Sequence, residues 1–222
     1  MTVHLARALC AAGCLALAAP ALAAPAPRAE VRAALDAIEA HHPRLHATFR
    51  PGSPVPAVLT GVAIPTVGET PRARVEGFVA AHRALFGGAE LVVGDVSARG
   101  ARTVARLEQR HGGLVVLDRA MTVTLDAAGR VVQMSGELSP LTTVEAATID
   151  ADAARAIALR AVLGDAAATA HTEVRRGLVA LGGRGTEVFE VELMRQPLRE
   201  HLVVRVDAHR GRVIGVQNRI EH

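Results

Sequence analysis

Residues 106–138, RLEQRHGGLVVLDRAMTVTLDAAGRVVQMSGEL, decide the fold. Met121, Val123 and Leu125 alternate with Thr122 and Thr124, so one face of an extended chain is apolar and the other polar. Asp126-Ala127-Ala128-Gly129 then supplies a turn that needs positive φ at its glycine. Arg130 to Glu137 returns antiparallel, and His111-Gly112-Gly113 marks an earlier reversal after a strand from Thr103 to Gln109. In that first strand Val104 and Leu107 are out of phase, which leaves its register open. The whole of 103–148 therefore reads as an antiparallel meander.

Working outward, residues 30–40 carry Val31, Leu35 and Ile38 at i, i+4 and i+7, the spacing of a short amphipathic helix. Pro43 ends it, because a proline disfavours helical geometry in the residue before it. Residues 44–69 are rich in proline and read as extended, with a strand from about Val58 to Ile64. Thr70-Pro71 is an N-cap followed by proline at the first helical position. The predicted helix runs through Val75, Phe78, Val79, His82, Leu85 and Phe86 to a left-handed stop at Gly87-Gly88. His82 on its inner face reads as a hydrogen-bonded core histidine.

A second unit opens at Ile149-Asp150, with Asp150 as N-cap of a helix through Ala153, Ile157, Leu159 and Val162 that ends at Gly164. Alternating runs follow at 173–181, 186–194 and 202–206. Gly182–Gly185 joins the first two, and Asp207 to Gly211 turns the third into a last strand, Arg212–Gln217. Asp207 reads as a turn residue whose carboxylate accepts local backbone N–H groups. Each half is thus a helix, or helices, packed on an antiparallel sheet, and the fold class is α+β with two small domains.

Residues 1–23 read as a secretory signal peptide: Arg7, then an apolar run from Ala8 to Ala19, then Ala21-Leu22-Ala23 at the cleavage site. A membrane anchor fits less well, since the run is short and Pro20 and Pro25 flank it. Cys14 after Ala11-Ala12-Gly13 leaves a lipoprotein signal open. Cys10 and Cys14 are the two cysteines of the chain, so the exported protein, periplasmic or extracellular, is expected to lack disulfides. No membrane span is expected after cleavage.

Half of the residues are hydrophobic, enough for a core, yet there is no Trp or Tyr and only four Phe. Val, Leu, Ile and Ala must build the interior. The basic residues are all arginine, and a net charge of +3 with no aromatic platform argues against nucleic acid as a partner.

No enzyme is expected. There is no His-Glu-x-x-His string, no Gly-x-Ser-x-Gly around any serine, and no lysine for a phosphate loop. His42 and His46 share a four-residue spacing, but Pro43 lies between them. No catalytic residue, metal ligand or cofactor is assigned.

Residues 51–148 resemble the propeptide domain of fungalysin- and thermolysin-like metalloproteases, on AAHRALFGG, RLEQRHGGLVV and MTVTLDAAGRVVQMSGELSP. Residues 149–220 resemble a PepSY domain, on IDADAARAIALRA and VVRVDAHRGRVIGVQNRI. Val115 and Asp118 depart from the pattern, which usually has Pro and Gly there. After signal peptide 1–23 and a leader and short helix at 24–50, the resemblance implies a propeptide-like domain at 51–148 and a PepSY-like domain at 149–222. It also implies a partner, the catalytic domain of a thermolysin- or fungalysin-like zinc protease, which such propeptides chaperone and inhibit. Since the sequence ends at His222, action in trans is expected. Asn218, Arg219, Ile220, Glu221 and His222 are then a candidate partner-contacting tail, whose carboxylate or imidazole could approach a catalytic zinc. Two other readings stay open: an envelope binding or structural module without a protease partner, and the remnant of a truncated precursor.

Overall fold

A computed structural model describes residues 29–163, 171–181, 183–195 and 200–219. The signal and leader readings, both cysteines, Gly164, Gly182 and Ile220 to His222 lie outside the described residues. The order of elements is α1 (Ala29–Glu39), β1 (His46–Phe49), β2 (Pro56–Thr60), α2 (Pro71–Ala81), a 3-10 turn (Arg83–Phe86), β3 (Glu90–Arg99), β4 (Arg102–His111), β5 (Leu114–Leu125), β6 (Val131–Glu137), β7 (Thr143–Glu145), α3 (Ala151–Leu163), β8 (His171–Leu181), β9 (Arg184–Arg195), β10 (Glu200–Asp207) and β11 (Arg212–Asn218). The fold is mixed α+β. Among the described residues, no helix is long and apolar enough to cross a membrane.

The strands run β1-β2-β6-β5-β8-β9-β10-β11, with β3 and β4 branching from β5, and β7 from β9. β5 is the hinge of this arrangement. It pairs β4 on one edge and, from Ala120 onward, β6 on the other. Nearer its start the edge passes to β8, through the single parallel pair Val116 with Leu178.

Two hydrophobic clusters lie on either side of that hinge. The first packs Val31, Leu35 and Ile38 of α1 and Val75 and Phe78 of α2 on Leu107, Met121, Val123 and Met134 of the sheet. The second packs Ala154 and Ala158 of α3 on Phe189, Val191, Leu193, Val204 and Val206. Alanines on α3 let the helix approach the sheet closely while longer side chains fill from below. Between the clusters, Val116, Leu178 and Ala180 are buried with Leu114, Leu141 and Val144 packed around them.

The caps form as read. Thr70 Oγ1 accepts from Ala73 N at 3.1 Å, Asp150 Oδ1 from Ala153 N at 2.8 Å, and Gly87 is left-handed at φ 63°. The register of β4 is settled by burial: Ala105, Leu107 and Gln109 face inward and Val104 outward.

Three readings need correction. The second helix stops at Ala81 and not at Gly87; Leu85 N–H bonds His82 O at 2.9 Å, and the tighter 3-10 turn delivers Leu85 and Phe86 to the core beside α1. His82 therefore sits half-buried at the break, its ring tilted 41° against Phe78 with centroids 4.8 Å apart, and with no side-chain hydrogen bond among the described residues. Burial holds its imidazole below the usual value. The predicted strand at 58–64 is β2, two residues earlier at its start, and only Ile64 rejoins the sheet, bridged to Val131.

Gln109 ties the meander to the chain that leaves it. Its side chain is 3% exposed; Nε2 donates to Ser139 O at 2.6 Å and Oε1 accepts from Ser139 N at 2.8 Å. Gln109→Ala orphans both backbone groups, so urea denaturation should show a loss of about 2–3 kcal/mol.

Candidate functional site

The sheet of the second half has two unlike faces. Val191, Val204 and Val206 point to α3, so their neighbours Glu190, Glu192, His201 and Arg205 must point away. The away face is a lattice of charge. Arg175 Nη2 donates to Glu192 Oε2 at 2.7 Å, and His201 Nε2 meets Glu192 Oε1. Arg205 Nε donates to Glu190 Oε1 at 2.8 Å. Its two Nη atoms grip both oxygens of Asp118, the Nη2–Oδ1 bond at 2.9 Å. That last fork crosses from one half of the molecule to the other.

Asp118 reaches Arg205 because β5 bulges. Glu108 pairs Ala120 and Arg110 pairs Val115, so four residues, 116–119, oppose Gln109 alone. At the bulge Asp118 adopts φ 59°, the one positive φ of a non-glycine among the described residues. A side chain in this region costs about 1 kcal/mol, least for Asp and Asn. Leu117 beside it packs over Gly177, where an added Cβ would lie 3.0 Å from Leu117 Cγ.

Glu190 and Arg205 line a cleft of about 410 Å³ between the halves, with Arg106 and Glu108 of β4, Leu117 to Arg119 of β5, Arg175 and Arg176 of β8, and Arg219. Arg119 is braced by Ser139 Oγ at 2.7 Å and by Glu137 at 3.4 Å. Arg176 pairs with Glu187. Arg106 and the Arg219 side chain have no hydrogen bond or ion pair among the described residues.

The electrostatics follow from these contacts. The Arg205 hydrogen bond holds the Asp118 carboxyl below its ordinary 3.8, against a smaller effect of burial. The Arg175 bond does the same for Glu192. Arg205 is pushed further up by Asp118. Asp207 differs: burial alone would raise it, but backbone N–H groups of Arg210 and His209 at 2.8 and 2.9 Å, with the Arg210 guanidinium, outweigh burial and hold it low. It is the turn residue expected.

Carboxylates with depressed folded values bind fewer protons in the native state than in the unfolded one. Their stabilisation is complete above the unfolded value and is lost as pH falls through the folded one. The urea midpoint should therefore drop as pH falls below about 4. Asp118→Asn, which keeps tolerance for positive φ, should flatten that drop in a pH series.

The candidate tail is placed only at its base. Asn218 ends β11 opposite Leu202, and Arg219 N donates to His201 O at 2.6 Å. This sets Arg219 at the rim of the cleft. His41, His42 and His82 border a separate apolar groove near α1, and no group of three or more metal-binding side chains occurs among the described residues. The cleft was not read from sequence, although FEVELM and VVRVD alternate charge with apolar residues and so announce one charged face.

A strand bundle braced by helices, joined through one bulged strand to a second such unit, defines an α+β architecture with its polar cleft at the joint. Residues 95–138, from the end of β3 through β6 to Leu138, match the Fungalysin/Thermolysin Propeptide Motif. The meander on which the resemblance rested thus carries that motif. No curated protein matches the chain. Among solved structures the Bacillus megaterium YpeB C-terminal domain is similar, at 12% identity over 80% of this chain and 76% of that one, with a TM-score of 0.41.

Proposed function

We propose that this protein binds the catalytic domain of a thermolysin- or fungalysin-like zinc metalloprotease and acts as its inhibitor, its folding chaperone or both. The observation that carries the reading is the propeptide motif at 95–138. A propeptide works by recognition: it presents a surface that the folding protease packs against, and binding the folded state preferentially stabilises it. Nothing in that role needs a nucleophile or a metal of its own. The resemblance of 149–220 to a PepSY domain, the division at 148/149, and export after cleavage at Ala23 belong to the same reading.

Asn218 to His222 is proposed as the segment that reaches the protease. Support comes from its base, since Arg219 is held to His201 and so departs from a fixed point of the sheet. The test is a titration of the protein, purified without residues 1–23, against a panel of secreted thermolysin-like and fungalysin-like proteases. Saturable inhibition of one member, without rapid digestion of the inhibitor, is expected, and deletion of 218–222 should weaken it at least tenfold. Neither inhibition nor rescue of a denatured protease would turn the reading to an envelope binding module.

A further inference from the structure

We propose that the cleft between the halves is a binding site for an extended, acidic segment of a protein partner. Its lining holds six arginines, Arg106, Arg119, Arg175, Arg176, Arg205 and Arg219, and three carboxylates, Glu108, Asp118 and Glu190, while Glu137, Glu187 and Glu192 reach three of the arginines from beside it. Four of the arginines are engaged: Arg205 with Asp118 and Glu190, Arg175 with Glu192, Arg176 with Glu187, and Arg119 with Glu137. Arg106 and Arg219 are the remainder. They stand exposed from opposite sides of the joint, and neither forms an ion pair among the described residues. Arg219 acts on Asp118 through its charge alone. A planar guanidinium forks onto a carboxylate through two parallel bonds, so two forks that make no hydrogen bond among the described residues suit side-chain carboxylates spaced along a strand.

The backbone around the cleft suits the same occupant. β8 pairs β9 along its length, but its other edge meets β5 only at Leu178. From Thr172 to Arg176 that edge has no strand partner among the described residues, and Arg175, on the face away from α3, borders the cleft. An extended peptide laid there gains ladder hydrogen bonds from β8 while its alternate side chains reach the arginines. By contrast, the free edge of β3 is blunted: it is bulged between Val93 and Val96, and Arg72 covers the carbonyls of Val93 and Gly94 at 2.6 Å each.

A nucleic acid fits less well. No aromatic residue lines the cleft to stack a base, and Glu108, Asp118 and Glu190 stand between the arginines, where they would repel a continuous run of phosphates. The cost of keeping Asp118 at φ 59° is also understandable in these terms, since it fixes Arg205 and the wall of the cleft in one arrangement. The chemistry of the cleft selects an acidic strand whether or not the partner is a protease.

The test is fluorescence anisotropy of a fluorescein-labelled (Glu-Thr)5 peptide with the purified chain at low and moderate salt. Saturable binding is expected. The double substitution Arg106→Glu with Arg219→Glu should weaken it roughly tenfold or more, since each lost charge-assisted bond is a large fraction of such an affinity. Neither arginine holds the fold together, so thermal melts of that variant should match the parent. Glu108→Gln should tighten binding about twofold to threefold by removing a repelling charge. Arg32→Glu on α1, remote from the cleft, should leave it unchanged. Absence of saturation, equal weakening by Arg32→Glu, or no response to Glu108→Gln would overturn the site. Tighter, cleft-dependent binding of a single-stranded oligonucleotide than of the peptide would overturn the choice of partner.

Discussion

Gly136→Ala is expected to be among the most damaging single substitutions in this protein, costing about 3–5 kcal/mol. Gly136 lies in β6 opposite Met121, at the centre of the meander, with φ 151°. That region of backbone space belongs almost wholly to glycine, and placing a side chain there costs about 1–3 kcal/mol. Space adds to the strain. A Cβ at Gly136 would stand 2.2 Å from Ala120 O and 2.8 Å from Met121 Cα. Both are backbone atoms of the neighbouring strand and cannot rotate away, so the strands must part at the place where Ala120 begins the β5–β6 ladder. Overpacking of this kind costs a further 1–3 kcal/mol or so. Equilibrium urea unfolding followed by circular dichroism measures it. A loss below about 1 kcal/mol would mean that β6 does not approach β5 as described. Because the pair sits inside the propeptide motif, the same variant should also lose protease binding if that motif supplies the contact surface.

Phe86→Ala should cost about as much for a different reason. Phe86 is 1% exposed and meets Phe78 edge-on, with ring centroids 6.1 Å apart. It is delivered there by the 3-10 turn and held by the left-handed Gly87 that follows. Removing a buried phenyl ring loses its transfer free energy and leaves a cavity, together about 3–5 kcal/mol. With four phenylalanines and no Trp or Tyr in the chain, nothing nearby is large enough to refill the space. For a chain of this size the melting temperature should fall by roughly 10 °C. Phe86→Leu, which keeps most of the volume, should recover more than half of the loss. If both variants melt together with the parent, Phe86 is not part of the core.

Elements whose evidence is local were legible in the order of the residues. α1 and the meander strands carry their own periodicities, and the turns at Asp126–Gly129 and Asp207–Gly211 carry residues suited to their backbone geometry. Asp118 was also visible, as the departure from glycine in a propeptide-like pattern, though its positive φ and its reach to Arg205 were not. β1, β3 and β7 were missed. β3 carries Gly94-Asp95 in mid-strand, and it is a strand because β4 pairs with it and Arg72 covers the carbonyls at the bulge. β7 is three residues paired in parallel with β9, more than 40 residues further on. Neither has a pattern of its own to read.

The break at His82 belongs with these. Nothing in AAHRALFGG interrupts a helix before Gly87, and propensity favours continuing it. Burial of Leu85 and Phe86 against α1 outweighs the lost regularity, and that burial depends on a helix nearly 50 residues upstream.

The sequence by itself determined the α+β class, the caps, the turns and the inward faces of the main strands, because each depends on residues a few positions apart. It also determined the propeptide resemblance, which lives in that same local pattern. The cleft was decided by tertiary structure alone. Asp118 and Arg205 are separated by 86 intervening residues, and only the bulge of β5 and its single pairing with β8 bring them into contact. A charged face can be read from alternation along one strand. What stands opposite it is set by how two sheets join, and long-range pairing leaves no periodic trace in either strand.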